Sequence, residues 1–312
     1  MKRLTMVISL ILLLSLFLNA CGSLAVQEEA LPTEPVVETQ PVTEPTEPEP
    51  TVADQEDPAA DGVLTVLAIG NSFATAWNDE LTGMLDSVGI KVKIYSVYYS
   101  SCKVRQHWEW LQDGTSNYRL RHHYQKGGWE DFNDSSLEFC LAQENWDVIS
   151  LQQHFGGAMA FSETECLPYA KYLYDYLKVN FPKSKLIWQE TWAGELGNNG
   201  IDEARQIKEQ GLIKEISAMV VEENGVPMVP SGDAWHIART EYGYHDMTRD
   251  DLYHDGEEGG GQYLNACVWF EALTGQSCIG NEWRPPYYEI PEEKLLQLQE
   301  IAHRAWEENT YK

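Results

Sequence analysis

Neither a Cys-x-x-Cys pair nor a His-Glu-x-x-His run occurs in the 312 residues, so the common zinc-binding spacings are missing. His122-His123 and His245-Asp246 are the nearest approaches to a ligand set. Beyond Cys21 there are five cysteines, Cys102, Cys140, Cys166, Cys267 and Cys278, an odd number that cannot pair completely within one chain. Basic residues are scarce: 22 Lys and Arg face 49 Asp and Glu, for a net charge of −27. Nucleic acid is thereby excluded as a partner, since binding it relies on a basic footprint. No apolar run reaches the ~20 residues of a membrane-spanning helix. There is also no internal repeat.

The apolar run Met6–Leu18 follows Lys2 and Arg3 and ends at Leu18-Asn19-Ala20-Cys21. A basic start and a short apolar stretch make residues 1–20 a secretory signal. Its end resembles the lipobox of bacterial lipoproteins, with Asn19 a less usual occupant, and implies a lipidated Cys21 that holds the chain to a membrane outside the cytoplasm. Residues 21–61 then turn to Glu, Pro and Thr, with eleven acidic residues and no Lys or Arg between Gly22 and Asp61. Such a segment cannot bury enough apolar surface to offset its chain entropy, and its like charges repel. It is expected to be a disordered, extended tether. Residues 62–312 remain, a length that suits one α/β domain.

Within that domain apolar strands alternate with helical patterns. Strands are expected at Val63–Ile69, Val92–Val97, Val148–Leu151, Lys185–Gln189 and Val226–Val229, with helices at Asp79–Val88, Ser162–Asn180 and Asp202–Glu223. Five apolar strands separated by helices imply a parallel sheet covered on both faces. Ser162 and Glu165 are placed for a capping box, and Leu167, Ala170, Leu173 and Leu177 share one face. Between the second and third strands lies a long insertion, Tyr98–Asn145, rich in Trp, His, Tyr, Gly and Asn. Loops of this length in compact domains are usually functional. Its Trp108, Trp110 and Trp129 either line a substrate cleft or form a satellite cluster beneath the loop.

Two stretches carry the chemistry. In Leu64-Thr-Val-Leu-Ala-Ile-Gly-Asn-Ser-Phe73 an apolar strand ends in Gly70 and delivers Ser72 to the carboxyl edge of the sheet, where open α/β folds bind ligands. Ser72 is thus a candidate nucleophile, although a serine there can also be a plain helix N-cap. Near the other end, Asp251-Leu-Tyr-His254 precedes the glycine run Gly259–Gly261 and a helical stretch Gln262–Leu273. Two intervening residues on a turn let the carboxylate reach the imidazole, fix its tautomer and stabilise its charged form. The pair could equally be a local loop-stabilising contact. Combined with Ser72, it supplies nucleophile, acid and base in one of the chain orders that geometry permits. Cys102 is the alternative nucleophile, but nothing nearby in sequence would lower its pKa.

On these residues the chain resembles the SGNH hydrolases, or GDSL-like esterases. Ile69-Gly-Asn-Ser-Phe73 is similar to their first block, with Asn71 where Asp is more usual, and Asp251-x-x-His254 matches their last block. The resemblance implies a three-layer α/β/α sandwich with a five-stranded parallel, flavodoxin-like sheet. It also implies ester hydrolysis through an acyl-serine, without a cofactor. Catalytic residues would be Ser72, His254 and Asp251. The oxyanion hole would use the Ser72 N–H, a backbone N–H of Ser100 or Ser101, and the amide of Gln152 or Gln153. Ser100 and Ser101 stand where the family has a glycine, and the glutamines stand where it has an asparagine. Successive side chains of a strand point opposite ways, so one glutamine is expected to reach, with Gln153 favoured. The expected substrate is a short acyl ester, acetyl on an extracellular carbohydrate, with Trp108 and Trp129 as sugar platforms. A non-catalytic glycan-binding lipoprotein and an acyltransferase with the same triad are the alternatives.

Overall fold

The computed structural model describes residues 62–75, 77–153, 163–249, 251–252 and 254–312. The signal, Cys21, the tether and Ser162 of the expected capping box lie outside the described residues. In chain order, β1 (Leu64–Gly70) leads through α1 (Asn78–Ser87) to β2 (Val92–Tyr98). Then come α2 (Val104–Asp113), the strands β3 (Tyr118–His123) and β4 (Trp129–Ser135), and the short α3 (Leu137–Leu141). The sheet is completed by β5 (Val148–Gln152), α4 (Glu163–Asn180), β6 (Lys185–Gln189), α5 (Glu203–Asn224) and β7 (Met228–Val229). Three further helices follow, α6 (Ser231–Tyr242), α7 (Gly261–Thr274) and α8 (Glu292–Glu308).

The strand order is β4-β3-β2-β1-β5-β6-β7. All five expected strands are present, and β2, β1, β5, β6 and β7 run parallel. The sheet nevertheless has seven strands, not five: β3 pairs antiparallel with β2, and β4 antiparallel with β3. Both extra strands come from the insertion that reads as loop in sequence. Their residues, Tyr-Arg-Leu-Arg-His-His and Trp-Glu-Asp-Phe-Asn-Asp-Ser, contain no apolar run. A hairpin at a sheet's rim has little apolar surface to bury, so the signal that marked the inner strands is missing.

From β1 the chain moves one way along the sheet to β2, whereas β5, β6 and β7 step the other way. Right-handed crossovers therefore put α1 on one face and α4 and α5 on the opposite one. α2 packs against α4 and α5 adjoins it, while α1 packs on α7, which packs on α6 and α8. The sheet is enclosed between these layers. Val66, Leu67, Ala68 and Ile69 of β1 are fully buried, as a strand covered on both sides must be. Parallel strands end together at one edge, and Gly70 and Gln152 lie there beside each other.

Candidate active site

At the end of β1, Gly70 is held to glycine by its neighbour. A Cβ there would lie 2.3 Å from Gln152 Nε2, closer than any real contact. Asn71 then turns the chain into a single 3₁₀ turn, Ser72–Ala74, and its Oδ1 accepts from the Phe73 N–H at 3.0 Å. The cap of this turn is therefore Asn71, not Ser72. The Asn71 Nδ2 donates to the Cys102 carbonyl at 2.9 Å and ties the end of β1 to the loop after β2. An aspartate could make only the first of these bonds, since an ionised carboxylate has no hydrogen to donate.

The second stretch folds into a tight turn over Ser72. Asp251 Oδ1 accepts from the His254 N–H at 2.9 Å, and Oδ2 lies 2.6 Å from His254 Nδ1. His254 Nε2 is 2.7 Å from Ser72 Oγ. With a carboxylate on Nδ1, the ring proton resides there and Nε2 is left as the acceptor. The hydroxyl, imidazole and carboxylate thus form one continuous relay at the carboxyl edge of the sheet. Leu252, inside this turn, has φ +57°, a left-handed conformation that branched side chains rarely adopt.

What holds that turn is distant in sequence. The Leu252 carbonyl accepts from the Glu195 N–H at 2.8 Å and from Asn198 Nδ2 at 3.0 Å. The Glu195 side chain is itself buried. Its Oε2 pairs with Arg239 Nε at 3.2 Å, and its Oε1 accepts from the Leu196 N–H and meets Gln206 and His245. Burial pulls the Arg239 guanidinium down to about 10, with Glu195 opposing that shift. None of these residues carries a local sequence signal, because the contacts span up to 57 positions, from Glu195 to Leu252.

Around Ser72 the two glutamines point apart. Gln153 Oε1 accepts from the Val104 N–H at 2.9 Å, the first residue of α2. Its carbonyl end is therefore turned to α2. Gln152 lies against Gly70, buried, and among the described residues neither end of its carboxamide has a partner. In the loop after β2, a turn closes from the Cys102 N–H to the Tyr99 carbonyl at 3.2 Å, with Ser101 at φ +55°. This is the turn position that favours glycine, and Ser101 adopts the left-handed conformation without one. Such a residue typically costs ~1–3 kcal/mol.

Cys102 is buried, and desolvation pushes its thiol well above the usual range. His107, 3.7 Å from that sulfur, is driven down to about 3 by burial and stays neutral, so it offers no cation to activate the thiol. All five cysteines among the described residues are free and buried. The histidines weighed as ligands are engaged otherwise. His123 bridges Asp79 and Ser96 at 2.9 and 3.0 Å, His122 stacks on Tyr95, and His245 meets Glu195.

The two tryptophans expected to share a substrate platform lie apart. Trp108 is half-buried on α2, its ring 5.2 Å from that of Tyr172 on α4. Trp129 opens β4, is 52% exposed, and stands across a groove from α1 on the other side of the sheet.

An α/β sandwich carrying a serine–histidine–aspartate relay at the carboxyl edge of its sheet is the class that fold and site define. A family described as "Domain of unknown function (DUF4886)" matches residues 65–304. The chain belongs to that family. It is similar to a crystallised DUF4886 family protein from Bacteroides uniformis, with 27% identity, a TM-score of 0.69, and coverage of 78% of this chain and 94% of that one. Lower likenesses are to a candidate GDSL-like lipase from Parabacteroides merdae (17% identity, TM-score 0.49, 73% and 100% covered) and an acetylxylan esterase from Geobacillus stearothermophilus (13%, 0.46, 68% and 94%). No curated protein matches.

Proposed function

We propose that this chain is a serine esterase that removes short acyl groups, acetyl foremost, from an extracellular carbohydrate while tethered to the bacterial envelope through a lipidated Cys21. The observation that carries the reading is the relay itself: Ser72 Oγ 2.7 Å from His254 Nε2, and His254 Nδ1 2.6 Å from Asp251 Oδ2. In this mechanism Ser72 Oγ attacks the ester carbonyl as its proton passes to His254 Nε2. Asp251 holds the ring and stabilises the imidazolium. The tetrahedral oxyanion is received by the Ser72 N–H, a Ser100 or Ser101 N–H and the Gln153 amide. Collapse breaks the bond to the alcohol, which takes the proton from His254. Water then repeats the sequence on the acyl-serine and releases the acid.

The carbohydrate preference and the envelope location rest on the sequence: the lipobox-like end of the signal, the acidic tether, and loops that are polar and glycine-rich instead of apolar. The test is labelling of the purified chain with a fluorophosphonate, followed by peptide mapping. Modification of Ser72, abolished in Ser72→Ala, together with acetate release from acetylated polysaccharides, is the expected result. Absence of labelling would remove the serine mechanism. A marked preference for acyl chains of ~eight carbons or more would remove the short-acyl assignment, because remote contacts then supply the selectivity.

A further inference from the structure

A groove of about 810 Å³ runs along α1. One wall is the face of α1 from Asp79 to Ser87, a length of about 12 Å at 1.5 Å per residue. The opposite wall is the tip of the β3–β4 hairpin, Gln125–Gly128, and the C-terminal segment 286–288 contributes the rim. α1 begins six residues after Ser72, and Glu257, which also lines the groove, lies three residues beyond His254. Ser72, Asp251 and His254 do not line the groove: its Asp79, Glu80 and Glu257 end follows the relay in the chain, and its hairpin end lies beside Ile90, at the amino end of the strands.

Its walls are built, not incidental. Gln125 donates to the Ile90 carbonyl at 2.6 Å and so fastens the hairpin tip to the α1–β2 loop. Trp283 lies flat over Gly83, where a Cβ would fall 2.1 Å from its indole nitrogen. Tyr288 OH donates to Glu80 Oε1 at 2.8 Å, and burial pushes Glu80 up to about 8, so at neutral pH this floor is uncharged. Asp79 is occupied by His123. On that frame two aromatic rings are displayed, Tyr287 at 86% exposure and Trp129 at 52%. Arg121 covers one face of the Trp129 ring, 4.4 Å from its centre. Asp86, Glu257 and Lys126 supply acceptors and a donor along the same groove.

The geometry points to a binding subsite for a neutral oligosaccharide, the part of the substrate remote from the ester, lying between Trp129, Tyr287 and the exposed face of α1. This rests on the esterase reading above. Pyranose rings present apolar C–H faces and a rim of hydroxyls that both donate and accept. Open aromatic platforms between polar side chains of both kinds match those needs. A closed aromatic cage would instead suit a cation, but Tyr287 and Trp129 stand open. The subsite would give a polymeric ester contacts that a small aryl ester cannot use.

The experiment uses the full chain with Trp129→Ala, Tyr287→Ala and the double variant. Both residues are exposed, and circular dichroism checks that each variant folds. Two probes are compared, p-nitrophenyl acetate and acetylated oligosaccharides of xylose, mannose and N-acetylglucosamine; calorimetry with the deacetylated oligosaccharides measures binding directly. KM for at least one acetylated oligosaccharide should rise about tenfold in the single variants and further in the double, with kcat/KM for the aryl ester within about twofold of the parent. Calorimetric affinity should fall in parallel. Unchanged KM and affinity with intact aryl esterase activity would overturn the subsite and leave the esterase reading standing. Absence of aryl hydrolysis and of fluorophosphonate labelling would overturn the esterase reading. Calorimetry would then still decide the groove: binding lost in the variants supports it, and no binding to the parent chain removes it.

Discussion

Ser72 and the Asp251–His254 pair meet at one point but are held there by different means. Ser72 is placed by the fold: a fully buried strand, a glycine pressed against Gln152, and a cap from the adjacent Asn71. Asp251 and His254 lie on a turn whose position depends on particular long-range bonds, through Leu252 to Glu195 and Asn198 and from Glu195 to a buried Arg239. The first half is secured by packing spread over many side chains. The second is secured by a few polar contacts, so single substitutions should loosen it without unfolding the sheet.

Loss of either half of the relay should have the largest effect. Ser72→Ala and His254→Ala should each lower kcat by about 10³ or more with little change in Tm, and the double variant should be no worse than either, since the residues act as a unit. Multiplicative losses in steady-state kinetics would separate the two halves. Next, Gln153→Ala should cost about 10²–10³ in kcat if its amide reaches the oxyanion. Gln152→Ala should cost far less, and equal losses would assign the donor to neither.

Glu195→Gln tests the anchor of the acid–base turn. It leaves Arg239 buried without its counter-charge, which should lower stability by about 3 kcal/mol, read by denaturant titration. kcat should fall ~10–10²-fold as the turn loses its position, with fluorophosphonate labelling slowed to match. Unchanged kcat in the folded fraction would make the anchor purely structural.

Glu80 belongs to the packed half. Its folded pKa is raised from 4.5 to about 8, so the folded state keeps a proton that the unfolded chain releases. Stability from this group is complete below pH 4.5 and declines as pH rises toward 8, by up to ~1.4 kcal/mol per unit. Glu80→Gln should flatten that slope in a pH series of unfolding curves; an identical slope would show that Glu80 is ionised in the fold. The smallest effect is expected at Leu252→Gly, which relieves the left-handed conformation and should shift stability by about 1 kcal/mol or less. A large loss of activity there would mean that the side chain, not the backbone, sets the turn.

The inner strands and the relay were legible because their signals are local. An apolar run followed by Gly-Asn-Ser, and an Asp three residues before a His, need only their neighbours to be read. The hairpin β3–β4 was not legible, since Arg121, Glu130 and Asp131 are the residues of a rim and resemble a loop. Glu195, Arg239 and Asn198 were invisible for another reason. Their role exists only once the turn at Leu252 lands on them. Trp108 and Trp129 share a composition-rich insertion, but the chain crosses from α2 on one face to a hairpin at the rim, and neighbours in sequence part company.

That rim has a consequence for how copies of the protein behave in company. A sheet normally offers two rows of unpaired backbone groups to any passing strand. Here the outermost strand on one side, β4, carries Glu130, Asp131 and Asp134. On the other side β7 has two residues, and the segment after α8 covers it: the Met228 N–H donates to the Tyr311 carbonyl at 2.7 Å, and Asn309 Nδ2 donates to the Met228 carbonyl at 2.8 Å. One border carries acidic side chains and the other is already occupied, so pairing with a second copy is disfavoured at both. Crowding many such domains together concentrates relays without inviting the strand-to-strand aggregation that exposed β-borders permit.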